Sequence, residues 1–391
     1  MTAGAFIPET AAEASRLRRR HPERMARTYR DLFWLRACFW PHIDRLNGSC
    51  GCFLGFRWDG EARRVDRTKP AVVVLMPPDR DRTNAETALG GPGLMLFAPV
   101  TPWDGQPLWC WTDALVVRRQ PAPKPAAAAR WLDGQPARDG RLLSGEGIVG
   151  QLAGTIACAW AESGRRLAAT AAHVAGPAGA RIKSGNKPAK VWGKVVRACT
   201  PAEDETLASY LGGEFANDCP QLAQVGVRFE LDAALVEFTA KTLQPANAVV
   251  GLPEISPVWP AIGLQPDTPL AAILGRQVAG VGAQSGPQVG ELIGLSVQYR
   301  DAEGDPDVPP VFSDYLIKPA RGTDFGVVSD SGKLVCTADN CRALGLYGGL
   351  GNFTADFGPA TERWRRANDL RRIFAALGCR GPVPPPLPPV P

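Results

Sequence analysis

The feature that most constrains the fold is a succession of short apolar runs, separated by turns rich in Gly and Pro, across residues 144–348. Runs of this kind, bounded by turn residues, are typical of β-strands, and many of them at short intervals indicate a closed barrel or a sandwich. The pattern does not favour alternating strands and helices. The predicted strands occupy residues 154–160, 165–172, 189–197, 225–229, 234–238, 271–281, 288–299, 311–317, 332–336 and 343–348.

The N-terminal third has a different pattern. Residues 1–47 read as helical, with an Arg-rich stretch followed by an apolar run that Pro41 is expected to end. Apolar runs at 52–58, 71–76, 94–100 and 108–117 then predict strands, so residues 1–120 are interpreted as a small α+β region. The seven arginines from Arg16 to Arg30 indicate a solvated helix face, with nucleic-acid contact as the alternative.

Proline marks a linker and a tail. Residues 121–143, rich in Pro and Ala, predict a stiff linker before a domain at 144–380. Residues 360–377 predict an amphipathic helix that ends at Gly378. The tail at 381–391 is nearly all proline and is expected to be an extended, disordered end, with a ligand for a Pro-binding partner as the alternative.

Composition narrows the cellular setting. The net charge of +5 favours no particular partner, and neither nucleic-acid nor membrane binding is expected. No apolar stretch reaches the ~18 residues of a membrane helix, and no secretion signal is evident, so a cytoplasmic location and free thiols are predicted. The close pairs Cys50/Cys52 and Cys336/Cys341 lack the spacing of a zinc site, so no metal site is expected.

Three motifs carry the candidate chemistry. His173, one of three histidines, follows a strand-like run; Asp232 begins the run 232–236; Ser331 lies in an Asp-Ser-Gly turn. A serine nucleophile needs a base to take its proton, and a carboxylate behind the imidazole holds the correct tautomer. The order along the chain therefore predicts Ser331 as nucleophile, His173 as general base and acid, and Asp232 as orienting carboxylate. A structural histidine, a strand-edge aspartate and an ordinary Ser-Gly turn are the alternatives.

These motifs resemble those of trypsin-like serine proteases of the chymotrypsin fold, particularly bacterial and plant members that carry an N-terminal extension. The resemblance covers residues 144–378 and rests on segments 167–174, 232–236, 284–290, 329–335 and 344–349. It implies an all-β core of two six-stranded barrels with the triad at their junction, a C-terminal helix, and cleavage of peptides through an acyl-enzyme without a cofactor. It further implies an oxyanion hole from the N–H groups of Ser329 and Ser331, and substrate contacts by Phe325, Tyr347, Gly348 and Gly349.

One position departs from the family pattern. Ser329 stands where these proteases carry glycine, at a peptide whose conformation a β-carbon disfavours. Phe325 at the pocket base would favour apolar substrates, whereas Asp324 in its place would favour Lys or Arg. Asp330 is expected to be paired by some group other than a new N-terminus, and a basic side chain such as an arginine would serve. A serine endopeptidase is thus the leading interpretation, with an inactive peptide-binding protein of the same fold and an esterase as rivals.

Overall fold

The structure is a computed structural model, and its helices and strands lie in both the N-terminal third and the remainder of the chain. It describes residues 5–43, 51–59, 64–76, 95–119, 141–185, 190–199, 205–206, 226–229, 231–240, 243–249, 256–257, 264–299, 311–321, 323–327, 329–339, 342–348, 353–356 and 361–381. The N-terminal elements are α1 (Ala11–Arg20), a 3₁₀ turn (Pro22–Arg24), α2 (Tyr29–Ile43), β1 (Gly51–Asp59), β2 (Arg64–Met76), β3 (Met95–Ala98) and β4 (Leu108–Arg119). The following elements are β5 (Arg141–Ser144), β6 (Gly147–Val149), β7 (Ala153–Thr155), β8 (Cys158–Glu162), β9 (Arg165–Thr170), α3 (Ala172–Ala175), β10 (Arg181–Ser184), β11 (Val191–Cys199), β12 (Glu205–Thr206), β13 (Gly226–Phe229), β14 (Ala233–Phe238), β15 (Gln244–Val249) and β16 (Ser256–Pro257). The C-terminal elements are α4 (Leu270–Ile273), β17 (Gln277–Gly282), β18 (Gly286–Tyr299), β19 (Val311–Pro319), β20 (Leu334–Thr337), β21 (Ala343–Tyr347), β22 (Phe353–Asp356), β23 (Thr361–Asp369) and α5 (Leu370–Ala376).

Six C-terminal strands form a closed barrel. Hydrogen-bonded pairing runs from β17 to β18, β19, β23, β21 and β20, and β20 pairs with β17 again through Val278 and Thr337. Closure leaves no strand of this ring with an unpaired edge. The predicted strand at 271–281 begins in fact with the helical turn α4, and its strand part is β17.

A second sheet, from the middle of the chain, packs against this barrel. Its strand order is β7-β6-β10-β11-β14-β9-β8, and β5 and β15 lie against β8. The hairpin predicted around residues 162–164 is present, and Ser163 and Gly164 both have positive φ, as a tight two-residue hairpin turn requires. The two layers share a hydrophobic core to which β8, β9 and β14 contribute on one side and β17, β20 and β21 on the other.

The N-terminal strands complete a further ring. β1, β2 and β4 continue through β22 to β23, while β1 also pairs with β18, so the ring closes through three strands of the C-terminal barrel. In β2, Ala71, Val73 and Leu75 face the core inside this ring, whereas the alternating residues face α2. The N-terminal region and the C-terminal barrel are therefore joined by a continuous sheet.

Two predicted helix boundaries are wrong. Helix α2 continues through Pro41 to Ile43. The predicted helix at 360–377 is helical in its second half, where Gly378 with φ 63 follows the last turn as expected. Its first half is strand β23, because pairing with β19, β21 and β22 outweighs the helical pattern of the sequence.

The predicted fold class, an all-β core with the chymotrypsin-like double barrel and a C-terminal helix, is confirmed by this topology. Of the predicted linker at 121–143, residues 121–140 lie outside the described residues and residues 141–143 belong to β5. The tail beyond 381 also lies outside the described residues, and the domain boundaries stay predictions. Among the described cysteines no two are joined by a disulfide, and Cys50 and Cys341 lie outside the described ranges. None of the helices in the described part of the chain is both long and apolar enough to cross a bilayer.

Candidate active site

His173 and Asp232 are brought together by two neighbouring strands. His173 lies in α3, directly after β9, and Asp232 directly precedes β14, which pairs with β9 through Thr170 and Ala234. His173 Nδ1 hydrogen-bonds to Asp232 Oδ2, and the His173 backbone N–H donates to Oδ1 at 2.8 Å. A carboxylate at Nδ1 holds the proton on that nitrogen and leaves Nε2 available as a base. The predicted pair is thus in hydrogen-bond contact, and its ring is about a quarter exposed.

Ser331 lies on the loop of residues 329–332, the nucleophile loop. This loop contacts residues 170–174 around His173, the histidine segment. The Ser331 carbonyl oxygen accepts from the Thr155 N–H at 2.9 Å. A Cβ placed on Gly154 would lie 2.5 Å from Val174 Cγ1 and 2.9 Å from the Ser331 carbonyl oxygen. Gly154 therefore lies between the nucleophile loop and the histidine segment, where a larger residue would not fit. Within the described residues no hydrogen bond joins His173 Nε2 to Ser331 Oγ, a contact that often tightens when substrate binds.

Ser329 has the backbone conformation expected of a glycine. Its φ is +76°, in the left-handed region that non-glycine residues rarely adopt. Neither its N–H nor that of Ser331 donates a hydrogen bond to an acceptor in the described part of the chain. Two N–H groups that have no acceptor among the described residues are compatible with the proposed role of an oxyanion hole.

Replacing Ser329 with glycine is expected to stabilise the fold and raise reactivity. Glycine adopts this φ without the penalty of a β-carbon, so the free energy of unfolding should rise by up to about 1 kcal/mol. The rate of acylation of Ser331 should increase with it, since the loop is then held with less strain. Urea unfolding and the labelling rate with a fluorophosphonate probe measure the two effects.

The matched control is Ser163→Gly. Ser163 also has positive φ, +51°, but it is exposed in the β8–β9 hairpin turn. It should show a similar gain in stability and no change in labelling rate. An unchanged or slower labelling rate for Ser329→Gly would contradict the explanation that backbone strain at Ser329 limits the reaction of Ser331.

Asp330 is paired by a group other than an N-terminus, as expected, and that group is Lys333 rather than an arginine. Lys333 Nζ lies 3.7 Å from Asp330 Oδ2, and both side chains are fully buried. Asp330 also accepts from Ser285 Oγ at 2.5 Å and from the N–H groups of Gln284 and Val327 at 3.2 and 3.1 Å. The Asp330 carboxylate therefore joins the loop that precedes Ser331 to residues 284–285 and to Lys333.

Lys333 was not assigned a role from the sequence, although the apolar residues that follow it signal a buried position. Its ammonium donates to the Phe325 carbonyl at 2.8 Å and to Gln288 Oε1. Burial lowers its pKa to about 8, against the opposing effect of the Asp330 charge. The ammonium also lies 4.5 Å from the ring centre of Phe325 and 5.0 Å from that of Tyr347.

The proposed substrate-binding residues lie mostly beneath the surface. Phe325 is fully buried, and Tyr347 is 2% exposed. The Tyr347 ring lies 2.6 Å from where a Cβ on Gly326 would stand, so it fills the space beside that glycine. Gly348 is half-buried with open space around it, and Gly349 lies outside the described residues. The assignment of these residues to substrate contact stays a prediction.

Asp324, the alternative pocket base, is occupied by another partner. Both of its carboxylate oxygens accept from Arg365 at 2.7 Å, and Arg365 also donates to the Gly326 carbonyl at 3.0 Å. Arg363 Nη1 lies 3.6 Å from Asp324 Oδ2. A carboxylate engaged in this way is poorly suited to bind a substrate Lys or Arg.

Comparisons by sequence point to Nal1-type proteins. The family model described as the Nal1 C-terminal domain matches residues 220–379, less than half of the chain. Over 119 residues the chain is 31% identical to Protein NARROW LEAF 1 of Oryza sativa subsp. japonica, an alignment that covers 28% of this chain and 19% of the rice protein. The chain thus spans about a fifth of the length of the curated relative that it matches.

Comparisons by structure point to serine proteases at low similarity. The chain is similar to Nocardiopsis protease NAPase (14% identity, TM-score 0.39, covering 61% of this chain and 97% of that one). It is similar to Thermobifida fusca Protease A (16%, 0.38, 61% and 96%). It is also similar to human heparin binding protein (15%, 0.28, 66% and 100%). At such TM-scores the fold class rests on the strand topology described above.

Proposed function

We propose that this chain is a serine endopeptidase that acts on peptides or proteins by acyl transfer. The observation that carries the proposal is the hydrogen bond between Asp232 and His173 Nδ1, next to the loop that contains Ser331. Ser331 Oγ attacks the peptide carbonyl while His173 Nε2 takes its proton. The same imidazole then protonates the leaving amine, and water releases the acyl group by the reverse sequence.

The electrostatics of the site support each step. Asp232, held by the His173 backbone N–H, stabilises the imidazolium as it forms. The N–H groups of Ser329 and Ser331 would bind the oxyanion, each contributing roughly 10²–10³ in kcat. No cofactor is needed for this chemistry.

Labelling with a fluorophosphonate probe tests the proposal, because this reagent reacts with an activated serine. The wild type should be labelled, and Ser331→Ala and His173→Ala should not. Circular dichroism should confirm that all three proteins are folded. A folded wild type that resists labelling would refute the proposal, and labelling that persists in Ser331→Ala would place the reactive group elsewhere.

An inactive, peptide-binding protein of the same fold is the second candidate. It is favoured by the burial of Phe325 and Tyr347, which places two of the residues proposed for substrate contact beneath the surface. Cleavage of a peptide library by the wild type, lost in Ser331→Ala, would exclude it. If the wild type cleaves esters but leaves peptides intact, an esterase would be favoured instead.

A further inference from the structure

Thr155 connects the nucleophile loop to both neighbouring layers. It is the last residue of β7 and is fully buried. Its Oγ1 donates to the Ser329 carbonyl at 3.1 Å and accepts from the Ala283 N–H at 3.0 Å. Its backbone N–H donates to the Ser331 carbonyl at 2.9 Å, and its carbonyl accepts from Thr170 Oγ1 at 2.7 Å. One residue therefore contacts the nucleophile loop, the end of β17 and the strand that leads to His173.

The direction of the hydroxyl bonds is settled by their partners. An N–H group can only donate, so Ala283 supplies a proton to Thr155 Oγ1, and the hydroxyl proton is directed to the Ser329 carbonyl. This places a donor on the peptide unit that follows Ser329. Because Ser329 has a φ that serine disfavours, its conformation must be held by its surroundings.

We propose that Thr155 is a positioning residue whose hydroxyl holds Ser329, in the nucleophile loop, in its left-handed conformation. The inference rests on the proposed function, because the loop matters to reactivity only if Ser331 is a nucleophile. Without the hydroxyl, the Ser329 carbonyl loses its donor in a partly buried site, and the strained φ can relax. Relaxation rotates the neighbouring peptide units and turns the Ser329 N–H away from the oxyanion.

The role is distinct from that of the His173–Asp232 pair. Among the described residues, Thr155 makes no hydrogen bond to either of them, and its link to the histidine segment is a backbone carbonyl that every variant keeps. Removing the hydroxyl should therefore lower the acylation rate without changing the shape of its pH profile. Substrate affinity should be unchanged, so the loss appears in kcat and not in KM.

The test compares Thr155→Val, which keeps the shape, with Thr155→Ser, which keeps the hydroxyl. In the full chain, Thr155→Val should lower the fluorophosphonate labelling rate roughly 10- to 100-fold, with the same pH profile, and Thr155→Ser should stay within about threefold of the wild type. Combining Thr155→Val with Ser329→Gly should recover much of the lost rate, because glycine holds the left-handed φ without help.

The outcomes separate the two proposals. A folded wild type that is not labelled overturns the proposed function and this inference with it. A labelled wild type with an equal rate for Thr155→Val overturns the inference alone. Equal losses in the Val and Ser variants, a shifted pH profile, or no recovery in the Ser329→Gly background would each show that the hydroxyl does not act on the loop.

Discussion

A chain that lacks residues 1–119 is expected not to fold. The deletion removes β1, whose pairing with β18 runs from Gly51 opposite Tyr299 to Gly55 opposite Gly294. It also opens the ring that β1, β2 and β4 close with the C-terminal barrel, and exposes the core around Ile293 and Trp364. The loss of this shared core should exceed the ~5–15 kcal/mol by which domains of ordinary size are stable. The solubility and the far-ultraviolet circular dichroism of residues 120–391 show whether this truncated chain folds.

Co-expression supplies the control for the deletion. If residues 1–119 act by strand pairing and core packing, the same segment produced as a separate chain should restore solubility and bind the remainder. Residues 120–391 that unfold cooperatively without the partner segment would contradict the expectation. The N-terminal region would then be an accessory and not part of the folding unit.

Replacing Gly332 with alanine is expected to slow the labelling of Ser331 at least a hundredfold. A Cβ at this position would lie 2.4 Å from Thr170 Oγ1, 2.5 Å from the Thr155 carbonyl and 2.8 Å from the Ala171 nitrogen. Two of these three are backbone atoms, so the loop itself must move away from the histidine segment. A displacement of about 1 Å at a reacting atom costs roughly 10² in rate. We therefore expect at least a hundredfold slower labelling, together with a loss of about 2–5 kcal/mol in stability.

Gly164→Ala separates the clash from backbone strain. Gly164 has a φ of +75°, close to the +90° of Gly332, but a Cβ there would meet no atom within 4 Å. This variant should lose about 1–2 kcal/mol and be labelled at the wild-type rate. Equal stability losses in the two variants, or normal labelling of Gly332→Ala, would show that the contact between the two loops is looser than the structure indicates.

The strand pattern and the three site motifs were readable from the sequence because both depend on local chemistry. Alternating apolar runs and turn residues predicted most strands of the two layers, and the positive φ of Ser163 and Gly164 suits the hairpin predicted there. The motifs around His173 and Asp232 predicted a pair that the structure places in hydrogen-bond contact. The positive φ of Ser329 fits the expectation, implied by the family resemblance, that this peptide takes a conformation that a β-carbon disfavours.

Other features were hidden because they arise from segments far apart in the chain. Strand β23 contains Arg365 and Arg366, which read as one charged side of a helix; they are buried because this segment pairs with β19 around Ile317 and Leu316. No local signal marks Thr155, since its importance comes from acceptors and donors more than 120 residues later. Lys333 falls between these cases: its apolar neighbours indicate burial, but its partners do not follow from them.

Local sequence therefore specified the candidate residues His173, Asp232 and Ser331 and most of the strands around them. Long-range pairing specified how the N-terminal third closes onto the C-terminal barrel and how the loop of Ser331 is held. The physical reason is that turn and strand preferences are set by neighbouring residues, whereas barrel closure and buried hydrogen bonds are set by the free energy of the whole packed chain.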